Sequence, residues 1–442
     1  MSKKVRDYLF LIFITLFIGA TVIISLYASG YKLNLSWPLK FNRLLIKTGM
    51  LTVDSQPSGA VVYLNDHPRG DTTLRFWRKE YLTTAAKIKN LLPGEYVLRL
   101  EKTGYWPFQK RITILSGQTT FAEEINLFRS DEPLLVATTG QGEVSLSFDH
   151  KYLYESGASR LINLKGSQIK KLAATADTPG TWLKNSEKIL VGGQLFDLEK
   201  NSQINYREII GAETTNWHLD ESDNRLFYQN KNTISYFRLD QRVSLVALSG
   251  ENYLTYEPRG DDLFTVVNDQ GKIILKKYSL KEQKLLAELT LPSIGQYKFI
   301  SDGQKRLTLY DQQNKTLYLI NPTDFNTKTV IQNVFGWQWL NEETIIYNNN
   351  WELYTYNLGD NNSLLITRFS EKIEKIIWHQ ANNYLIFSTA KNLNTIDLTS
   401  GTITTILRAD QISSPVLDDK NDYLYFLAGI GKQIGIYKIV LQ

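Results

Sequence analysis

The chain has 442 residues, too many for one ordinary core, so two or more domains are expected. Its 50 basic residues against 45 acidic ones leave a net charge of only +5 with neither sign in a long block, which argues against a nucleic-acid-binding stripe. The absence of cysteine excludes a disulfide framework, a structural Cys-zinc site and a thiol nucleophile, without fixing the compartment.

From Tyr8 to Ala28 the chain runs without a charge. A helix over these residues would cover roughly 30 Å, the thickness of a bilayer's hydrocarbon core. Its Leu, Ile, Phe and Val side chains favour insertion by roughly 4 to 8 kcal/mol. Tyr8, Tyr27 and Tyr31 stand where an interfacial aromatic belt would lie. Residues 1–30 are therefore read as a short cytoplasmic tail and a single transmembrane anchor, with the bulk of the chain extracytoplasmic. Lys3, Lys4 and Arg6 precede the span, but Lys32, Lys40, Arg43 and Lys47 follow it, so charge alone barely sets the orientation. Ala28-Ser29-Gly30 has the small-x-small form of a signal-peptide cleavage site. The apolar run exceeds the 7–15 residues of such a peptide, so an uncleaved anchor is preferred, and cleavage after Gly30 stays open.

A linker, 31–48, contains Trp37-Pro38. Residues 49–130 then show short strands broken by Gly and Pro turns. Apolar and polar residues alternate over Met50–Asp54 and Ala60–Asn65, with Pro57-Ser58-Gly59 between them. Later strands are VLRLEK, after Leu92-Pro93-Gly94-Glu95-Tyr96, and KRITIL, after Gly104-Tyr105-Trp106-Pro107. The expectation is a compact antiparallel sandwich.

These motifs resemble the PEGA domain, a small β-sandwich of bacterial surface proteins. Its P-x-G-A, V-Y-L-N, glycine turn, L-x-P-G-x-Y and G-Y elements have counterparts here. They are Pro57-Ser58-Gly59-Ala60, Val62-Tyr63-Leu64-Asn65, Gly70, Leu91 to Tyr96, and Gly104-Tyr105. Ser58 stands where the family's name implies Glu, and the segment Phe76–Lys89 is longer. The resemblance implies a surface location and an interaction or spacer role, with no chemistry.

Residues 131–442 carry a repeat. Anchor residues Phe148, Trp182, Trp217, Tyr256, Phe299, Trp339, Trp378 and Val416 recur about every 40 residues, close to the roughly 40–45 of a four-stranded propeller blade. Second strands read YLY at Tyr152, RLFY at Arg225, DLFTV at Asp262, RLTLY at Arg306, TIIY at Thr344, YLIF at Tyr384 and YLYF at Tyr423. The last unit supplies three strands, and a lone strand, PLLVAT from Pro133, precedes the first. Pairing the two would complete a final blade and remove an exposed edge. Eight blades closed in this way are expected, or seven if the unit at Trp182 is irregular. The repeats also resemble WD-repeat and TolB-type propellers in a general way. The fold class is thus all-β: a transmembrane helix, a PEGA-like sandwich and a propeller.

Chemistry is hard to find. His67, His150, His218 and His379 are the four histidines, and three of them follow anchors, which points to a shared structural role at blade turns rather than a metal site. No G-x-S-x-G or H-E-x-x-H occurs, and Gly429-Ile430-Gly431-Lys432 lacks the rest of a phosphate loop. Asp261-Asp262 and Asp418-Asp419 read as solvated turn residues rather than a glycosidase pair. Arg-Gly-Asp occurs at Arg69-Gly70-Asp71 and Arg259-Gly260-Asp261, both where a glycine turn is already required. Trp337 and Trp339 share a strand face, and with Trp351 they suggest either core packing, which is preferred, or a sugar-stacking surface.

No catalytic, cofactor-binding or metal-ligating residue is assigned. The reading is a non-enzymatic cell-envelope protein, held in the membrane through Tyr8–Ala28, whose propeller binds a protein or glycan partner and whose PEGA-like domain faces the surface or wall. A propeller enzyme acting on envelope polysaccharide is the alternative, and it would need acidic residues from different blades converging at the ring's mouth. A signalling role ranks last, because so few residues precede the helix. Ligand, binding face and oligomeric state stay open.

Overall fold

A computed structural model describes residues 3–33, 45–69, 81–138, 142–149, 151–164, 168–175, 177–183, 187–211, 213–220, 224–292, 295–300, 305–326, 328–399, 401–418, 420 and 422–442. Trp37-Pro38, Gly70-Asp71, Phe76, His150 and Asp419 lie outside these residues. The chain divides into two compact units, Met1–Asp131 (with Gln442) and Glu132–Leu441.

In the first unit, Lys3–Ala28 is one helix. Tyr8–Ala28 within it has a mean hydropathy of 2.8 and no buried part, so it is long and apolar enough to cross a membrane. Its two threonines do not interrupt the apolar surface. Thr15 and Thr21 donate their hydroxyls to the carbonyls of Leu11 and Phe17, at 2.9 and 2.8 Å, one turn back. A short ribbon follows, Tyr31–Leu33 against Leu45–Lys47.

The rest of the unit is two sheets face to face. One holds Ala86–Leu91, Gly49–Gln56 and Thr119–Asn126, in that order; the other holds His67–Pro68, Val61–Leu64, Gly94–Glu101 and Phe108–Ile114. Alternation does the sorting: Leu51, Val53, Val62, Leu64, Leu98 and Leu100 are fully buried between the sheets. One pairing departs from the all-antiparallel expectation. Thr119–Asn126 runs parallel to Gly49–Gln56. The preceding strand, Phe108–Ile114, belongs to the opposite sheet. The chain therefore crosses between sheets at the Ser116–Gly117 turn instead of folding back as a hairpin beside its neighbour.

The motif residues have identifiable work. Asn65 adopts φ 51°, a left-handed conformation that Asn tolerates better than most residues. Its backbone N–H donates to the Val97 carbonyl, and its side-chain oxygen accepts from the Val97 N–H, both at 2.9 Å. The Tyr96 hydroxyl donates to the Leu92 carbonyl at 2.9 Å, bracing the Pro93-Gly94 turn.

The second unit is a β-propeller. Among the described residues it holds eight four-stranded antiparallel sheets, here blades 1 to 8. Blades 1 to 7 are consecutive meanders over 144–171, 180–205, 215–249, 253–291, 297–331, 336–368 and 375–408. Blade 8 takes Gln411–Leu417, Tyr423–Ile430 and Gln433–Val440 from the end of the chain and Leu134–Thr138 from its beginning. The segment containing Trp182 is a regular four-stranded sheet. One short helix, Tyr206–Ile210, follows blade 2.

Each blade is too thin to have a core of its own, so the apolar clusters form between blades. Leu161 of blade 1 packs with Ile189 of blade 2, Leu190 of blade 2 with Leu226 of blade 3, and Leu353 of blade 6 with Leu385 of blade 7. Another cluster joins Leu153 of blade 1 to Leu427 and Ile436 of blade 8. The first strands of neighbouring blades approach one another along the inner rim, and that of blade 8 lies beside those of both blade 7 and blade 1.

Register corrects some of the anchors. Trp182, Trp339 and Trp378 each face the second residue of the following strand (Ile189, Ile345 and Leu385). In blades 1, 3 and 8 that position belongs to Leu146, Leu219 and Leu417, not to Phe148, Trp217 and Val416. Phe148 lies beyond its strand and is 60% exposed. An aromatic side chain at a turn keeps the spacing of an anchor without its burial.

Candidate ligand-binding site at the inner rim

Five of the second strands carry a polar residue at or next to their end that is nevertheless buried. Glu155, Asp311, Asn348 and Ser388 are the last residues of theirs, and Gln229 is last but one. Each faces the first residue of the inner strand: Val144, Tyr297, Gly336, Lys375 and Thr215 respectively. A polar group withdrawn from water at such a place needs partners.

Four of the five find scaffold partners. Asp311 accepts backbone N–H groups of Gln296, Gln313 and Asn314, at 3.1 to 3.2 Å. Gln229 donates to the Tyr253 carbonyl of the next blade at 2.9 Å, and Asn348 to the Ile373 carbonyl at 3.3 Å. Glu155 accepts from Arg160 at 2.8 Å. Ser388 differs. It is fully buried, and its hydroxyl has no hydrogen-bond partner among the described residues.

Ser388 borders a cavity of about 490 Å³. Glu143 of blade 1, Glu374 and Lys375 of blade 7, and Ser413 and Ser414 of blade 8 also line it. Lys375 stands directly opposite Ser388 on the adjoining strand, so both side chains leave the sheet on the same face. Lys375 also borders a second cavity with Trp337 and Trp339, and a third with Gln338 and Trp378. Burial pushes its ammonium pKa down, while Glu143 pulls the other way. Among the described residues no carboxylate comes within ion-pairing distance of it. Glu374 instead approaches Lys372, at 3.5 Å.

The residues singled out in the sequence are scattered. His67 is exposed on a short strand of the first unit. His218, on the inner strand of blade 3, lies against Tyr256 with ring centroids 4.9 Å apart. Burial, with repulsion from Lys298, holds its pKa down at about 4. At neutral pH its 3.8 Å approach to Glu257 is therefore not an ion pair. His379 is buried, stacks on Tyr384 at 4.2 Å and accepts the Asn382 N–H. His218 faces the third residue of its neighbouring strand and His379 the first, so a shared role does not hold. Among the described residues no three His, Asp or Glu side chains are grouped to hold a metal ion.

The second Arg-Gly-Asp is taken up in packing. Arg259 donates to the Arg306 carbonyl at 3.1 Å, and the Gly260 carbonyl accepts from Arg225 at 2.6 Å. Asp262 pairs with Lys277 at 2.8 Å, and Asp418 accepts the Tyr423 N–H. Trp337 packs on Tyr310 at 5.0 Å, while both Trp337 and Trp339 border the second cavity; Trp351 is 49% exposed and stands apart. Lys375 and Ser388, which matter most here, were not singled out. The available signal was the run of second strands ending in Glu, Gln, Asp, Asn and Ser.

The segment that builds the two sheets of the sandwich matches a known family. Residues 48–126 match the PEGA domain. The PEGA domain accounts for the first unit's sheets. For the second unit, the structure is similar to the Dos1 propeller, with a TM-score of 0.50 and 9% identity over 69% of this chain and 94% of that one. It also overlaps a eukaryotic initiation factor (TM-score 0.45, 10% identity, 65% and 81% covered) and Kluyveromyces lactis Hsv2 (0.35, 8%, 49% and 71%). At these identities the likeness is one of fold, and the last two are too distant to carry an argument. No curated protein matches the sequence.

Proposed function

We propose that the protein is a non-enzymatic, single-pass cell-envelope protein whose propeller binds a protein or glycan partner at its inner rim. The carrying observation is the cavity between blades 7, 8 and 1, where the Lys375 ammonium and the buried Ser388 hydroxyl are left over by the scaffold. Rigid strands holding a few convergent polar groups in a concave site are what recognition requires. In this reading Tyr8–Ala28 is the anchor, the N-terminus is cytoplasmic, and the PEGA domain is the surface or wall-facing module.

The test is protease treatment of intact cells followed by immunoblotting of a C-terminal tag. Parallel retention of the purified chain on an isolated envelope fraction tests binding. Loss of the tag from intact cells together with saturable retention is the expected result. A tag protected until the membrane is opened, or no retention, overturns the reading.

A second reading has one observation in its favour. Glu143 and Glu374, from different blades, border the same cavity, the convergence a polysaccharide-cleaving enzyme would need. Reducing ends released from envelope polysaccharide, and lost in the Glu143→Gln and Glu374→Gln variants, would establish that reading in place of the first.

A further inference from the structure

Resting on the inner rim as a binding site, the chemistry of its walls specifies the ligand further. Among the described residues the Lys375 ammonium has no carboxylate at ion-pairing distance, and Ser388 beside it holds a fully buried hydroxyl with no partner. In four other blades the equivalent buried polar group is bonded within its own blade or to the next one. In blade 7 the equivalent residue, Ser388, borders a cavity together with a cation. A cation left unpaired in a concave site is satisfied by an anionic acceptor.

Glu143 and Glu374 restrict which anion fits. Both are exposed at the border of the same cavity, and like charge disfavours a doubly charged phosphate there more than a singly charged carboxylate. Among the other wall residues, Ser413, Ser414 and Gln411 are uncharged hydrogen-bonding side chains suited to hydroxyls. Lys375 also borders the adjoining cavity, where the half-buried Trp337 and Trp339 supply flat apolar surface of the kind that the C–H face of a sugar ring covers.

We infer that this site takes a carboxylate-bearing saccharide, with the uronate carboxylate on Lys375 and the neighbouring sugar ring over Trp337 and Trp339. Lys375 then acts as the ligand-contacting cation, with Ser388 behind it on the adjoining strand, and the two tryptophans set the preference for a glycan over a peptide.

The test is titration of the full-length chain in detergent micelles with a glucuronic-acid oligosaccharide. A neutral glucose oligosaccharide of equal length and an acidic peptide are the comparison probes. The glucuronic-acid probe is expected to bind at least tenfold more tightly than either. Lys375→Met weakens it at least tenfold, and Lys375→Arg less than Lys375→Met. Lys284→Met, a change at an exposed lysine on the last strand of blade 4, leaves it unaltered. Unaltered binding by Lys375→Met, or no binding of the glucuronic-acid probe, overturns the inference. Tighter, Lys375-dependent binding of the acidic peptide transfers the site to a protein partner and overturns the saccharide assignment. Retention on the envelope fraction that survives Lys375→Met removes this inference alone and leaves the broader binding role standing.

Discussion

Leu135 pairs with Tyr437, so a strand at the start of the propeller lies beside the last strand of the chain. Two segments separated by all the other blades thus share one sheet, and the Ala137 side chain is buried in the cluster between blades 8 and 1. Without Leu134–Thr138, Gln433–Val440 would present a long unpaired edge.

The close approach there is made by Gly435. A Cβ at that position would stand 2.7 Å from the Ala137 carbonyl oxygen and 2.5 Å from the Leu135 side chain. Gly435→Ala is expected to push the two strands apart, lowering stability by about 2 kcal/mol and promoting self-association through the freed edge. Urea unfolding and gel filtration of the purified chain check both effects.

Arg225 and Asp220 form an ion pair at 2.7 Å in blade 3, with side chains only 8% and 9% exposed, and Arg225 also donates to the Gly260 carbonyl of blade 4. Arg225→Met should destabilise by about 3 to 5 kcal/mol, because it takes the cation away from a buried carboxylate. The double variant Asp220→Leu/Arg225→Met should recover at least half of that loss. A double variant as unstable as the single one would show that the lost packing matters more than the charge.

His218 makes stability depend on pH. Its pKa of about 4 in the fold lies below the ordinary value of 6.5. Between these values the unfolded chain binds a proton that the native chain does not, so stability falls as pH drops from 6.5 to 4. Above that window the residue contributes no pH dependence. Allowing for its partial exposure, the loss at the acid end is on the order of 2 kcal/mol. His218→Gln should flatten this part of the curve, measured as the difference in unfolding free energy between pH 4.5 and 7.5.

In the PEGA domain, Asn65 joins a left-handed backbone to two hydrogen bonds with Val97. Asn65→Ala removes the side-chain bond and strains the backbone, and should cost about 2 kcal/mol. Asn65→Gly removes the bond alone and should cost less. Hydrogen exchange at the Val97 amide should quicken in both variants.

Much of this architecture was legible in local pattern. The strands at Tyr152, Arg225, Asp262, Thr344, Tyr384 and Tyr423 begin where their short apolar runs do, because strands covered on both faces leave continuous apolar segments. The strand Lys188–Val191 was missed, and so was Lys272–Ser279, whose interior lysines break the run. Those lysines are held by acids elsewhere: Lys276 by Glu251, and Lys277 by Asp262 at 2.8 Å. Phe148 misled for the converse reason, since spacing alone does not distinguish a packed aromatic from an exposed one.

By itself the sequence determined that a single apolar segment could span a bilayer, that a PEGA-like sandwich precedes a repeat, and that each repeat is a four-stranded unit. Each of these follows from properties that neighbouring residues share: run length, alternation and turn chemistry. Only the tertiary structure decided that Thr119–Asn126 runs parallel to Gly49–Gln56, that Leu146, Leu219 and Leu417 hold the anchor positions of blades 1, 3 and 8, and that the Ser388 hydroxyl has no partner among the described residues. Strand neighbours and hydrogen-bond partners come from residues distant in the chain. Whether a buried hydroxyl is used up or left over is therefore settled only when the blades pack together.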